Sequence, residues 1–365
     1  LLATNHHCVF SILQVHSTPE RDLIELGFVA KTRTEELSGG TVRAQIPHRS
    51  TDVTAEVEAA AAAAGSDDFA RFRAIERKGK ELVAACEKTP SRRCQLATFD
   101  GGVRYLLLEA IEYPDVRLAW APPRAIGNFG GEVDNWSWPR HTGDFGLLRV
   151  WANADGSPAP KGQGTVPFRP RHFFPVSAEG VSAGSFVMIA GYPGTTFRSL
   201  VAQEMREKAE RLYPDRVALF RRWIDLMESS SKTSDAARIA LADRVKNLAN
   251  REKNSRGQIA GFERGQLIAK KEYEEKAVLA WARGSSANVP AVAAFEALRD
   301  AVAREGQTWA VDFLLDHAKN GPKPLDHALT LVRWATEREK PDLEREPAYM
   351  ERNREQTVLL NENFA

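Results

Sequence analysis

The 365-residue sequence has no uninterrupted apolar run of roughly 18 residues or more, so it offers no candidate for a membrane-spanning helix. Nor is there an excess of either charge. Lys and Arg number 50 against 49 Asp and Glu, a net charge of +1, so no overall field draws the chain to nucleic acid or to an anionic membrane. Cysteine is scarce: Cys8, Cys86 and Cys94 are the only three. In an oxidising compartment an odd count leaves one thiol over unless its partner lies elsewhere. The first residues, Leu-Leu-Ala-Thr, contain no Met and no basic start, apolar stretch and small-residue cleavage site of a signal peptide. Repeats of fixed period and sustained heptads are also missing, which argues against a solenoid or a long coiled coil. What remains is a chain with 43% hydrophobic residues, long enough for two domains with cores of their own.

The first half reads as mixed and strand-rich. "TVRAQIPHRSTDVT" (41–54) carries the β-branched residues of an extended segment. Two helices are expected next, an alanine-rich one over 55–65 that stops at Gly65 and another over 66–88 with Ser66 as its N-cap. "CQLATF-DGG-VRYLLLEAIEY" (94–113) has the form of a hairpin about a DGG turn. Further strands are expected at 115–123, 144–151 and 185–194, each apolar and bounded by Gly or Pro. Near residue 199 the pattern becomes helical, broken by Pro214, the run Ser229–Ser231 and Gly321–Pro322, with Ala236, Ala240 and Val245 on one apolar face. A β-rich half followed by a helical half predicts two domains, 1–198 and 199–365.

The chemistry begins at "ATNHHC", residues 3–8. Adjacent His and Cys residues do not have the separated spacing of a zinc site, and no metal or other cofactor is expected. A small residue three positions before a His-Cys pair is instead similar to the general base of chymotrypsin-type proteases, which makes His7 the base and Cys8 a half-cystine whose partner lies upstream. A histidine base needs a carboxylate to fix its tautomer and stabilise the imidazolium. Asp144, opening the strand "DFGLLRVW", is the candidate.

The stretch "FGGEVDNWSWPRHTGDF" (129–145), together with "TNHHC", "GYPGTT" (191–196) and "NLANREKNSRGQ" (247–258), resembles the bacterial dipeptidyl-peptidases of types 7 and 11. The resemblance extends over nearly the whole chain and weakens after residue 260. It implies a β-rich, chymotrypsin-like double β-barrel, incomplete here, with an inserted all-α helical domain that caps the site. His7 would then be the general base and Asp144 its orienting acid. Asn135 would bind the free α-ammonium of the substrate, Trp136 would shape the pocket, and Asn250 (with Asn247 and Asn254 as close alternatives) would add a second contact. Neutral amide oxygens suit this task because they accept hydrogen bonds from an ammonium. The family's oxidising compartment implies a Cys86–Cys94 disulfide and a periplasmic or secreted location. Oligopeptides with a free N-terminus would be the substrates, with no nucleic acid or membrane partner, and a homodimer is compatible with the resemblance.

One departure is large: no G-x-S-G segment occurs in the 365 residues. Ser185 reads as a structural serine at the start of a strand, and Ser285 and Ser286 as linker residues. The expectation is therefore a fragment that carries the His and Asp of a triad but not its Ser, and that is inactive alone. The alternative is a non-catalytic, peptide-binding paralogue.

Overall fold

In the computed structural model, described for residues 1–162, 164–189, 200–319, 321, 323–354 and 357, the first half forms two antiparallel sheets and the second half forms helices. The strands are β1 (Leu2–Thr4), β2 (Phe28–Val29), β3 (Leu37–Ser38), β4 (Ala44–Asp52), β5 (Arg92–Phe99), β6 (Arg104–Tyr113), β7 (Asp115–Ala121), β8 (Gly146–Ala152) and β9 (Val166–Pro167). One sheet runs β1-β8-β7-β2, with β3 also beside β7 and β9 beside β8, and the other runs β4-β6-β5. The DGG turn joins β5 to β6. Asp100, Gly101 and Gly102 all have positive φ there, which these residue types adopt at little cost.

Around the sheets lie α1 (His6–Val15), α2 (Leu23–Leu26), α3 (Thr54–Ala63), α4 (Asp68–Cys86), α5 (Arg124–Gly127) and α6 (Gly131–Asp134). The cap of α4 is Asp67 rather than the expected Ser66. Its carboxylate accepts the Ala70 N–H at 2.7 Å, a position that the positive end of the helix favours over a neutral hydroxyl one residue earlier. Cys86, at the end of α4, is joined by a disulfide to Cys94 in β5, with Cα atoms 6.2 Å apart, while the Cys8 thiol is exposed. The main core sits between α1 and the larger sheet. It contains Val9, Phe10, Ile12 and Leu13 of α1 with Val116, Leu118, Ala121 and Leu148.

The helical half comprises α7 (Ala202–Glu207), α8 (Tyr213–Ser231), α9 (Asp235–Gly265), α10 (Leu267–Arg283), α11 (Val289–Glu305), α12 (Trp309–Lys319) and α13 (Lys323–Glu337). Pro214 does not break the path as expected. A π-helical turn at Lys208–Leu212 carries α7 into α8, and the proline falls in the first turn of α8, where a missing N–H costs little. The serine run does end a helix, its hydroxyls donating to the carbonyls of Asp225, Leu226 and Met227. Pro322 lies outside the described residues.

On α9 the buried face is Ile239 and Leu248, with Ala242 and Val245 partly buried, whereas Ala236 and Ala240 are exposed. The larger side chains decide the face because they remove more apolar area from water. Ile239 enters the core beneath α1, and Leu248 joins Phe220 and Ile224 of α8. The expected strand at 185–194 is not formed over 185–189, and residues 190–194, like the GYPGTT motif, lie outside the described residues. Among the described residues no strand pairs with 185–189, and Phe186 and Ile189 stand exposed; without a partner for its N–H and C=O groups an apolar run does not become a strand. No helix among the described residues is long and apolar enough to cross a membrane.

Candidate active site

Pairing of β1 with β8 brings the two ends of the sequence motif together. Thr4 lies opposite Gly146, so the turn leaving β1 meets the residues that lead into β8. There α1 begins at His6, and the Asp144 carboxylate sits at its N-terminus. Asp144 Oδ1 accepts the His7 backbone N–H at 3.1 Å, while Oδ2 lies 2.8 Å from His7 Nδ1 and 3.3 Å from Asn5 Nδ2. A helix start has unpaired N–H groups and a partial positive charge, so an anion is stabilised there. Burial alone would raise the pKa of Asp144. The hydrogen bonds from the His7 ring, the His7 N–H and Asn5, with the His7 charge, outweigh it and hold the group at about 2. The carboxylate is therefore ionised throughout the neutral range. With Nδ1 turned to Asp144, His7 leaves Nε2 for other chemistry, and its side chain is 54% exposed.

Behind His7 lies His6, fully buried against the Gly127 backbone, with neither ring nitrogen hydrogen-bonded. Burial, reinforced by the charge on Lys246, lowers its pKa to about 4, so it is a neutral packing group at pH 7.

His7 and Asp144 line a cavity of about 370 Å³ together with an amide cluster. Asn135 Nδ2 donates to Asn250 Oδ1 at 2.9 Å and to Glu132 Oε2 at 3.0 Å. Trp136 Nε1 donates to Asn250 Oδ1 at 3.0 Å and to the Asn250 carbonyl at 3.2 Å. Trp136 itself has φ of 58°, a left-handed conformation that costs a bulky residue on the order of 1–3 kcal/mol and that these bonds help to hold. The structure thus gathers His7, Asp144, Asn135, Trp136 and Asn250 around one space. Asn247 also lines it, bonded to Asp243, whereas Asn254 does not.

Helix α9 supplies Asn250 because it is tied to the sheet half at two places. Gln14 Nε2 donates to the carbonyls of Ile239 and Ala240, and Arg238 pairs with Asp22 at 2.6 Å. Farther along α9, Lys253 Nζ donates to the carbonyls of Glu132 and Val133, each at 2.6 Å. Residue-by-residue reading did not assign a role to Asn5, Asn128, Glu132, Arg140 or Lys246. All five stand within or beside the quoted motifs, and their placement there was the only signal. Arg140 Nη1 donates to Asn135 Oδ1 at 3.1 Å and Nη2 reaches Asn128 Oδ1 at 3.5 Å. Lys246 lies over the Phe10 ring at 4.3 Å, and burial lowers its pKa although Asp144, Glu132 and Asp243 oppose the shift.

The sequence matches the family model Peptidase S46 over residues 1–362. It is 34% identical over 355 residues to the Asp/Glu-specific dipeptidyl-peptidase of Shewanella putrefaciens, covering 97% of this chain and 48% of that protein. It is 33% identical over 283 residues to dipeptidyl-peptidase 7 of Porphyromonas gingivalis, covering 78% of this chain and 40% of that one. The chain thus spans about half or less of the length of these relatives. The crystal structure of Porphyromonas endodontalis DPP11 in complex with the dipeptide Arg-Glu superposes with a TM-score of 0.76 at 31% identity, over 84% of this chain and 44% of that one.

Proposed function

This chain belongs to the peptidase S46 family, and from that premise we propose that it is the His- and Asp-bearing part of a serine-type dipeptidyl-peptidase that releases dipeptides from the free N-terminus of oligopeptides. The observation that carries this reading is the shared cavity: the His7–Asp144 pair, 2.8 Å apart, and the hydrogen-bonded Asn135–Asn250 amides line the same space. His7 Nε2 takes the proton of an attacking serine hydroxyl and later returns it to the leaving amine. Asp144 holds the ring in the Nδ1–H tautomer and stabilises the imidazolium between the two transfers. Asn135, Trp136 and Asn250 form the stop at which the peptide's α-ammonium rests, two residues before the attacked carbonyl. No G-x-S-G segment occurs in these residues, so the serine of this reading is supplied from outside them.

In the same reading residues 1–198 belong to a chymotrypsin-like double barrel, and residues 199–365 to an inserted helical cap that blocks longer N-terminal extensions. The Cys86–Cys94 disulfide supports a periplasmic or secreted location, since such bonds persist in oxidising compartments.

The test is kinetic, on the whole protein with chromogenic dipeptidyl substrates, free or N-acetylated. His7→Ala should abolish turnover on all of them. Asn135→Ala should lower kcat/KM for the free-amine substrate by about 10- to 150-fold, the worth of a hydrogen bond to a charged group. Binding of free-amine peptides with no hydrolysis by the wild type would favour a peptide-binding paralogue instead. Equal loss on free and acetylated substrates in Asn135→Ala would remove the amine-site assignment.

A further inference from the structure

His7 is fixed twice, by Asp144 through space and by His6 along the chain, and His6 takes no part in the proposed proton transfers. The His6 side chain is fully buried, neither ring nitrogen is hydrogen-bonded, and it does not line the cavity. A buried imidazole that forgoes both hydrogen bonds contributes shape rather than polarity.

That shape fills the gap between α1 and α5. A Cβ on Gly127 would stand 2.5 Å from Cγ, 2.6 Å from Cδ2 and 2.8 Å from Nδ1 of the ring, so only a glycine lets α5 approach this closely. Phe10, one turn along α1, meets the ring edge-on at 6.1 Å. Helix α5 is also tied to α2, where Arg124 Nη1 donates to Glu25 Oε1 at 2.7 Å.

From α5 the contacts lead back to the pair. The Ile126 carbonyl accepts the Gly143 N–H at 2.9 Å and the Thr142 hydroxyl at 3.2 Å, so the segment that leaves α5 after Gly127 returns to it immediately before Asp144. Gly143 is close-packed too, since a Cβ there would stand 2.7 Å from Ile126 Cγ2. The contacts form a closed circuit. His7 is joined to His6 by the chain, His6 to Gly127 by packing, Ile126 to Gly143 by a hydrogen bond, and Asp144 to His7 Nδ1 at 2.8 Å. In such a circuit the bulk of the His6 ring sets how far α5, and with it Asp144, stands from the start of α1.

We infer that His6 is a positioning residue, a buried spacer whose bulk places Asp144 within hydrogen-bond reach of His7 Nδ1. Its consequence for catalysis rests on the reading of His7 as the general base; the placement itself is a property of the free chain.

The tautomer of His7 reads that placement. With the histidine nitrogens of the 365-residue chain isotope-labelled, long-range proton–nitrogen NMR spectra recorded above the range in which imidazoles titrate distinguish Nδ1–H from Nε2–H. The His7 signals are those lost in His7→Gln. The wild type should hold the Nδ1–H form. His6→Ala should lower the ratio of Nδ1–H to Nε2–H by about tenfold or more, the equivalent of losing a hydrogen bond to a charged group. His6→Leu, which refills the space without a ring nitrogen, should recover most of the ratio. Gly127→Ala, which pushes α5 away from an intact ring, should lower it. Val57→Ala, which opens a cavity in a separate core cluster, should lower the melting temperature and leave the ratio unchanged. A wild-type ratio in His6→Ala overturns the inference, and if that variant does not fold, Gly127→Ala decides in the same way. An equal fall in Val57→Ala would mean general loosening, and a ratio in His6→Leu no better than in His6→Ala would mean that bulk is not what places the acid; either overturns it. Those results leave the His7–Asp144 pair and the reading built on it standing, whereas a wild type with no Nδ1–H preference removes both.

Discussion

Lowering the pH from 7 to 4 should destabilise the fold through His6. Its ring is fully buried, edge-on to Phe10 at 6.1 Å, and neither nitrogen has a partner. Burial, then the charges of Lys246, His7 and Arg124, depress its pKa from 6.5 to about 4, although Asp144 pulls the other way. An unfolded chain takes up the proton near pH 6.5, whereas the folded chain refuses it until about pH 4. Within that window the unfolded state binds more protons, so stability falls as pH falls. The gap is worth about 3 kcal/mol at roughly 1.4 kcal/mol per pH unit, and the loss levels off below pH 4. Asp144 acts in a different window. Its folded pKa of about 2 lies below 3.8, so its contribution is intact above pH 3.8 and is lost as pH falls through 2. Urea denaturation at pH 7, 6, 5 and 4 reads the effect, with His6→Leu as the comparison, because a residue that cannot take a proton removes this slope whatever it does to absolute stability. Parallel stability curves for the two proteins across pH 7 to 4 would refute the reasoning.

Two further outcomes follow from packing and cross-linking. Gly127→Ala should cost about 1–3 kcal/mol in urea denaturation, since a Cβ there would stand 2.5 Å from His6 Cγ and the buried ring has nowhere to move; an unchanged midpoint would count against this contact. Cys86→Ser with Cys94→Ser should lower stability by about 2–3 kcal/mol on the chain-entropy model for a loop of this length, and a double variant that unfolds at the wild-type midpoint would remove the disulfide from the account.

Much of the strand-rich half was legible because its signals are local. The DGG turn requires positive φ, and the apolar runs on either side of it are long enough to pair as β5 and β6. The strand expected at 185–194 is absent over its described part, 185–189, for a non-local reason: an apolar run becomes a strand only when another strand lies beside it. On α9 the register of the buried face was misjudged because alanine fits either side of a helix. Ile239 and Leu248, which meet two different clusters, settle it. Propensity says where a helix is, but its partners choose the face.

The candidate site shows the same division more sharply. His7 and Asp144 come together through one strand pairing, Thr4 opposite Gly146, between segments that each read as recognisable motifs. The meeting of Asn135 with Asn250 depends on something no motif records. Helix α9 has to dock on α1 through Gln14 and Ile239, and on the α6 turn through Lys253, before the two amides stand 2.9 Å apart. Residue 250 is 11 positions beyond Ile239, about 16 Å along a helix, so the docking contact and the chemical contact lie on different turns of one rigid rod. That separation is also why Glu132 and Arg140 were missed. Their relevance comes from which hydrogen bonds are already taken once the rod is in place, and a list of acceptors on the sequence does not say which of them are still free.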